Sequence, residues 1–408
     1  MSTVRVESGD IRVLLTESIH HNAVDLFSSA GYNVATRDAA LDEETLAKEL
    51  VGVHVLGIRS TTQVTEAVLD NAPDLLAVGA FCIGTNQIDL SAASRRGVAV
   101  FNAPFSNTRS VVELALGEII LLTRRIVGKS EGMHAGRWDK SSSGSHEIRG
   151  RSLGIVGYGN IGSQLSVLAE SLGMSVSFYD TQDKLALGNA RRCDSLEELL
   201  ERSDVVTLHV DGRPSNTNLF GEAQFDLMRP GSIFLNLSRG FVVDHMALRR
   251  HILSGHLGGA AIDVFPTEPK RRGDPFVSDL RGLDNVILTP HIGGSTMEAQ
   301  VSIGNFVSAK LRDYLLSGST ALSVNLPSLA LAGEPDVHRL AHIHRNTPGV
   351  LAKINGILAE HGVNIEGQYL GTRSDVGYVL TDIGAMVDQS ALEALDGMPE
   401  TIRLRLLS

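Results

Sequence analysis

Between residues 11 and 100, short apolar runs rich in β-branched side chains alternate with longer segments whose apolar positions recur every three to four residues. The short runs suit strands buried on both faces, and the longer segments suit helices laid over them. The pattern predicts strands at 13–15, 53–58, 75–79 and 98–101, with helices over 20–30, 43–50, 65–71 and 89–96, the last stopped by Gly97. A long apolar segment, 110–122, predicts one helix running on toward Gly132. The polar stretch from Trp138 through Lys140 to Gly144 predicts a surface loop. The alternation then resumes with strand-like runs at 152–156, 175–179, 205–209, 232–237, 259–264 and 286–289, as many as a complete dinucleotide-binding sheet contains.

An amphipathic helix over 297–316 follows, and 330–335, with Gly333 and Pro335, has the composition of a linker. Beyond it the rhythm changes to strand 337–343, helix 348–361, strands 363–369 and 378–383, a short helix 390–395 and strand 402–407. That order, βαββαβ, is the ferredoxin-like arrangement. The expected architecture is α/β throughout, with two Rossmann-like or flavodoxin-like domains and a ferredoxin-like C-terminal domain. The expected boundaries are a discontinuous first domain of residues 1–107 and 298–330, a second of 108–297 and a third of 336–408.

Composition adds exclusions. The formal net charge of -11 argues against a broad footprint for nucleic acid or anionic lipid. No apolar run approaches the length of a membrane span, and Met1 to Asp10 lacks the apolar core of a signal peptide, so a cytoplasmic protein is expected. The cysteines, Cys82 and Cys193, show no metal-ligand spacing, so no metal is expected and both are expected to be reduced thiols.

The first chemistry-bearing motif is Gly157-Tyr158-Gly159-Asn160-Ile161-Gly162, directly after a predicted strand and opening a predicted helix over 161–172. In that context the first glycine permits a tight turn, the second lets the backbone approach a pyrophosphate, and the third lets helix and strand pack closely. The helix N-terminus supplies N–H groups for phosphates. Asp180 ends the next predicted strand, where a carboxylate meets a ribose hydroxyl and repels a 2'-phosphate, which points to NAD over NADP.

Three further segments fall at predicted strand ends, where doubly wound sheets hold ligands: Asn236 to Gly240, Asp263 to Pro269, and Thr289 to Thr296. Transferring a hydride to or from a hydroxyl carbon needs a group that exchanges the hydroxyl proton, and His291 is the candidate. Glu268 is placed to fix its tautomer, and Arg239 to grip a carboxylate or polarise a carbonyl.

The glycine loop, Leu237-Ser238-Arg239-Gly240, Ala261-Ile262-Asp263-Val264-Phe265 and Thr289-Pro290-His291-Ile292-Gly293-Gly294 together resemble the D-isomer-specific 2-hydroxyacid dehydrogenase family, and Phe101 to Ser110 extends the likeness. The resemblance implies that Arg239, Glu268 and His291 are the catalytic set. It also implies that Asn160, Ile161, Asp180, Ser238, Asp263 and the segment from His291 through Gly293 and Gly294 lie against NAD. It implies oxidation of 3-phospho-D-glycerate to 3-phosphohydroxypyruvate, the first step of L-serine synthesis, with N–H groups of Ile83 and Gly84 meeting the substrate carboxylate. Arg59 and Ser60, at a predicted strand end, are the place for the substrate phosphate, and Lys140 is a second cation, supplied in one reading by a neighbouring subunit. Thr61 stands where relatives often carry another arginine, which keeps open a dehydrogenase of another 2-oxo acid such as 2-oxoglutarate or glyoxylate. A non-catalytic NAD-binding regulator is a further alternative.

The C-terminal residues resemble an ACT domain, which implies edge-to-edge pairing and an amino-acid effector. By that resemblance His344, Asn346 and Asn364 bind L-serine and give feedback inhibition, and the assembly is a homotetramer held through the cofactor and ACT domains.

Overall fold

A computed structural model describes residues 8–269, 273–330, 338–384 and 387–407. The chain forms two compact units, residues 1–106 with 300–408 and residues 107–299.

In the first unit, β1 (Arg12–Leu15), α1 (His21–Ser29), β2 (Asn33–Thr36), α2 (Glu43–Glu49), β3 (Val55–Ile58), α3 (Glu66–Asp70), β4 (Ala77–Ala80), α4 (Leu90–Arg95) and β5 (Ala99–Asn102) alternate strictly. They give a parallel sheet of order β2-β1-β3-β4-β5, the flavodoxin-like order. Every residue of β3, β4 and β5 is buried, which is why these strands appear in the sequence as unbroken apolar runs. β2 has no such pattern: it is an edge strand with no fully buried residue, and the expected set of four strands lacks it for that reason.

The second unit begins with α5 (Thr108–Thr123) and α6 (Ile126–His134), separated where Arg125 adopts a left-handed φ of 53°. One helix running on to Gly132 was expected, and this residue corrects it to two. Then follow β6 (Ser152–Val156), α7 (Asn160–Ser171), β7 (Ser175–Tyr179), β8 (Arg191–Arg192), α8 (Leu196–Arg202), β9 (Val205–Leu208), α9 (Glu222–Leu227), β10 (Ser232–Asn236), α10 (His245–Leu253), β11 (Leu257–Ile262) and β12 (Val286–Leu288). Their sheet, β12-β11-β10-β9-β6-β7-β8, is parallel, and its strand order runs outward in opposite directions from between β6 and β9, the Rossmann switch point.

α11 (Met297–Ser317) leads back into the first unit, where Ile303, Val307, Leu311 and Tyr314 join the core beneath the five-stranded sheet. The predicted linker at 330–335 lies almost wholly outside the described residues. β13 (His338–Arg345), α12 (Val350–Glu360), β14 (Ile365–Arg373), β15 (Val376–Ile383), α13 (Gln389–Asp396) and β16 (Thr401–Leu407) form the expected βαββαβ unit, with an antiparallel sheet of order β14-β15-β13-β16. One face of this sheet covers its own helices, while Ile343, Tyr378 and Leu380 on the other join the core of α11. Among the described residues no helix is long and apolar enough to cross a membrane, and no group of three or more His, Cys, Asp or Glu is placed to hold a metal.

The junction of the β13 sheet with α11 is made by charge as well as by apolar contact. Arg339 Nε and Nη2 donate to both oxygens of Asp382, its cross-strand partner, at 2.6 and 3.0 Å, and Nη1 donates to the Ser317 carbonyl at 2.9 Å. Only 3% of the Arg339 side chain is exposed. Removing the carboxylate leaves a buried cation without its counter-charge, so Asp382→Ala should cost about 3–5 kcal/mol, read as a lower denaturant midpoint. An unchanged midpoint would show that the pair contributes nothing.

Candidate active site

The glycine loop joins β6 to α7 at the switch point. Gly157 has φ 92°, a left-handed conformation that glycine adopts without strain, and a Cβ there would lie 2.5 Å from the His209 carbonyl of the neighbouring strand end. At Gly162 a Cβ would strike the Gly157 carbonyl, so the turn closes only with glycine at both positions. A Cβ at Gly159 would meet nothing within 4 Å, so that side of the loop is open. Gly159 also provides no side-chain cap for α7, so the first-turn N–H groups at Asn160 and Ile161 remain available to an anion. Asp180 follows β7 and accepts from Tyr158 N–H at 2.8 Å and from Gln182 N–H at 2.8 Å, which fixes its carboxylate beside the loop. Glycines, helix terminus and acid therefore fit the dinucleotide expected from the sequence.

Asp263, directly after β11 and 2% exposed, organises the loop that carries His291. Its Oδ1 accepts from the Thr289 hydroxyl at 2.7 Å and from Ile292 N–H at 2.8 Å, and its Oδ2 accepts from Gly293 N–H at 2.9 Å. Held this way, His291 takes a left-handed φ of 53°. A Cβ at Gly294 would strike the Asn107 amide, so this end of the loop also requires glycine.

His291 Nδ1 lies 2.9 Å from Glu268 Oε2. The other Glu268 oxygen accepts from Phe265 N–H at 3.1 Å. The hydrogen bond to Glu268 raises the His291 pKa, which burial alone would lower. Burial would raise the Glu268 pKa, but the bonds from His291 and Phe265 outweigh it and hold the carboxyl below its ordinary value. Both residues sense the charge of Arg239, so the expected trio is one cluster. Its assembly depends on Gly240, where a Cβ would collide with the Phe265 backbone: two strand-end loops touch at a glycine. His291, Glu268, Phe265 and Thr289 line a cavity of about 480 Å³.

Sequence reasoning missed several supporting residues. Asn236, buried at the end of β10, accepts from the Ser238 hydroxyl at 2.8 Å and donates to the Arg239 carbonyl at 3.0 Å, setting the turn that presents the arginine. His209, at the end of β9, is kept neutral by burial, with its pKa pushed down to about 4. Glu118 on α5 is 1% exposed, and burial together with the Asp263 charge pushes its pKa up to about 8. The one visible clue to Glu118 is an acid inside the apolar run Leu114–Leu122. Asn236 lies within a quoted motif but has no chemistry of its own to single it out.

In the first unit, Arg59 and Ser60 follow β3 and Ile83 and Gly84 follow β4, so neighbouring parallel strands bring both pairs to one sheet edge. Asn102 donates to the Ile83 carbonyl at 2.6 Å, and Gln87 donates to the carbonyls of Gly84 and Arg59 at 3.2 and 2.7 Å. With those carbonyls turned inward, the N–H groups of Ile83 and Gly84 have no partner among the described residues. Lys140 lies exposed in the irregular stretch after α6.

In the C-terminal unit the predicted effector residues are not all together. His344 and Asn346 stand at the end of β13, and Asn346 donates to the Ser374 carbonyl at 3.0 Å. β13 and β14 both pair antiparallel with β15, with Arg345 opposite Val376 and Ile365 opposite Ile383. Asn364, just before β14, therefore lies at the other end of the sheet, roughly 25 Å away at the rise of a strand.

Residues 116–293 match the family described as D-isomer specific 2-hydroxyacid dehydrogenase, NAD binding domain, and residues 340–403 match the AHAS small subunit-like ACT domain. The chain is 52% identical over 410 residues to D-3-phosphoglycerate dehydrogenase of Escherichia coli K12, with 100% of each chain covered. It is 47% identical to the enzyme of that name from Dictyostelium discoideum, with 97% of each covered. Among solved structures it resembles D-lactate dehydrogenase from Aquifex aeolicus complexed with NAD and lactic acid, at 25% identity and a TM-score of 0.64, covering 74% of this chain and 95% of that one. The dinucleotide geometry at the switch point and the full-length likeness agree, and the chain belongs to the D-isomer specific 2-hydroxyacid dehydrogenase family.

Proposed function

We propose that this protein oxidises 3-phospho-D-glycerate to 3-phosphohydroxypyruvate with NAD, that L-serine restrains it through the ACT unit, and that it works in the cytoplasm as a homotetramer. The observation that carries the catalytic part is the His291–Glu268 pair beside Arg239. Substrate recognition belongs to residues 1–107 and 298–330, the cofactor to 108–297 and regulation to 336–408. Bound NAD supplies the hydride acceptor.

The chain's own residues do the rest. Glu268 accepts from Nδ1–H of His291, which leaves Nε2 with its lone pair to take the C2 hydroxyl proton. The Arg239 cation attracts the substrate oxygens. Ile83 and Gly84 offer their N–H groups to the carboxylate, Arg59 and Ser60 meet the phosphate, and Lys140 is a further cation for it. The assembled trio favours an enzyme over a regulator that only binds dinucleotide. Thr61 supports a second reading, another 2-oxo acid as main substrate, because its N–H is already given to Glu17 and its short side chain brings no charge. Turnover of NADH with phosphohydroxypyruvate, set beside 2-oxoglutarate and glyoxylate, separates the two.

For the effector, the distance of Asn364 from His344 and Asn346 supports a site built across two copies of the ACT unit. Asn364→Ala should raise the serine concentration for half-inhibition about tenfold, and unaltered inhibition would remove it from the site.

His291→Asn should lower kcat at least about a hundredfold while NADH still binds, as fluorescence titration would report. Retained turnover would exclude its role in proton transfer. In the reduction direction His291 must begin protonated, so the rate falls as pH rises through its raised pKa. Glu268→Gln removes the main cause of that rise, so the falling limb of kcat/KM should move to lower pH; a limb that stays in place would separate Glu268 from the titration.

A further inference from the structure

We propose that Glu17 is a positioning residue for the substrate anion, acting through the loop that carries Arg59. This rests on the reading of Arg59 and Ser60 as a substrate site. β1 and β3 are parallel neighbours with Leu15 opposite Gly57, so the residues after each strand emerge side by side. Glu17 Oε1 accepts from Arg59 N–H at 3.1 Å and from Thr62 N–H at 2.9 Å, and Oε2 accepts from Thr61 N–H at 3.0 Å. A single carboxylate thus takes three of the four N–H groups of residues 59–62, and that of Ser60 is left over.

Glu17 and Ser18 both have left-handed φ, 60° and 50°, although neither is glycine. That conformation is costly for ordinary side chains and persists only where surrounding contacts over-determine it. Here Glu17 N–H and Ser18 N–H donate to Ala39 and Arg37 carbonyls at 3.3 Å each, and the Ser18 hydroxyl donates to the Asp38 carbonyl at 3.0 Å. The strained turn brings the carboxylate under the loop. From the other side Gln87, 4% exposed, binds the Arg59 carbonyl. Both backbone polar groups of Arg59 are therefore fixed, while among the described residues its guanidinium has no ion pair.

Two consequences follow. The loop cannot serve as a full backbone anion nest, because three of its four N–H groups are already occupied by an internal carboxylate. A substrate phosphate must instead meet the Arg59 side chain and the group at Ser60, whose direction Glu17 sets. Loss of the carboxylate would free the loop to turn, so the weakness should appear in substrate affinity and not in the chemical step.

The test is Glu17→Gln, Arg59→Ala and the double variant, each assayed for KM and kcat with phosphohydroxypyruvate and for NADH affinity by fluorescence. Glu17→Gln should raise KM about tenfold, with kcat and NADH affinity within about twofold, and should add less than about twofold once Arg59 is alanine. A full additional effect in the Arg59→Ala background overturns the proposal. So does an unchanged KM, or a joint fall of kcat, NADH affinity and thermal midpoint, which is what a merely structural role produces. If Arg59→Ala itself leaves KM unchanged, the substrate-site reading fails first and the proposal with it. Glu17→Asp, with the charge kept but drawn back by one methylene, covers failure of the glutamine variant to fold: its KM should rise in the same direction, and wild-type KM overturns the proposal.

Discussion

The arrangement of the loop that carries His291 depends on the carboxylate of Asp263. It is nearly inaccessible to water, and it accepts a hydroxyl and two backbone N–H groups from one loop. A buried carboxylate without such donors would take up a proton or destabilise the fold, so the loop cannot relax away from it cheaply. That constraint fixes the backbone of His291 in its left-handed conformation and directs the ring to Glu268. Burial pushes the pKa of Glu118 up to about 8, and the nearby charge of Asp263 adds to the rise.

The same device recurs at the other ligand-facing strand ends. Asp180 takes N–H groups from Tyr158 and Gln182, and Glu17 takes three from the loop after β3. In parallel sheets the C-terminal strand ends carry loops whose backbone donors need partners, and an acid one or two residues past a neighbouring strand reaches them. Asp180, Asp263 and Glu17 thus spend their acceptor oxygens on backbone donors within the protein. On the proposed function, that leaves the cations Arg59 and Arg239 to face the ligand.

The C-terminal unit joins the first sheet through α11. The last turn of this helix leaves carbonyl acceptor capacity unused, and arginines of the β13 sheet supply donors: Arg339 to Ser317, and Arg405 to Tyr314 and Leu315 at 3.2 and 2.8 Å. Cations at a helix C-terminus also complement its dipole. Tyr378 adds a hydrogen bond to the Gly318 carbonyl at 2.6 Å. The five-stranded sheet and the C-terminal sheet are thereby both held to one helix.

The sequence by itself determined the α/β class, the ferredoxin-like tail and the dinucleotide loop, and it brought Arg239, Glu268 and His291 forward as the candidates that the structure then gathers into one cluster, because these depend on local periodicity or on residue types whose chemistry is distinctive. It did not determine the edge strand β2, whose exposed residues carry no pattern, or the break at Arg125, which no proline or glycine marks. The supporting residues were silent for a different reason. Glu17, Gln87, Asn236 and Glu118 are ordinary polar residues whose roles arise from partners as far as 145 positions away in the chain, as with Glu118 and Asp263, or from burial. Tertiary structure alone decided those roles, and it alone placed Asn364 at the far end of the sheet from His344, because strand pairing sets distances that spacing along the chain does not encode.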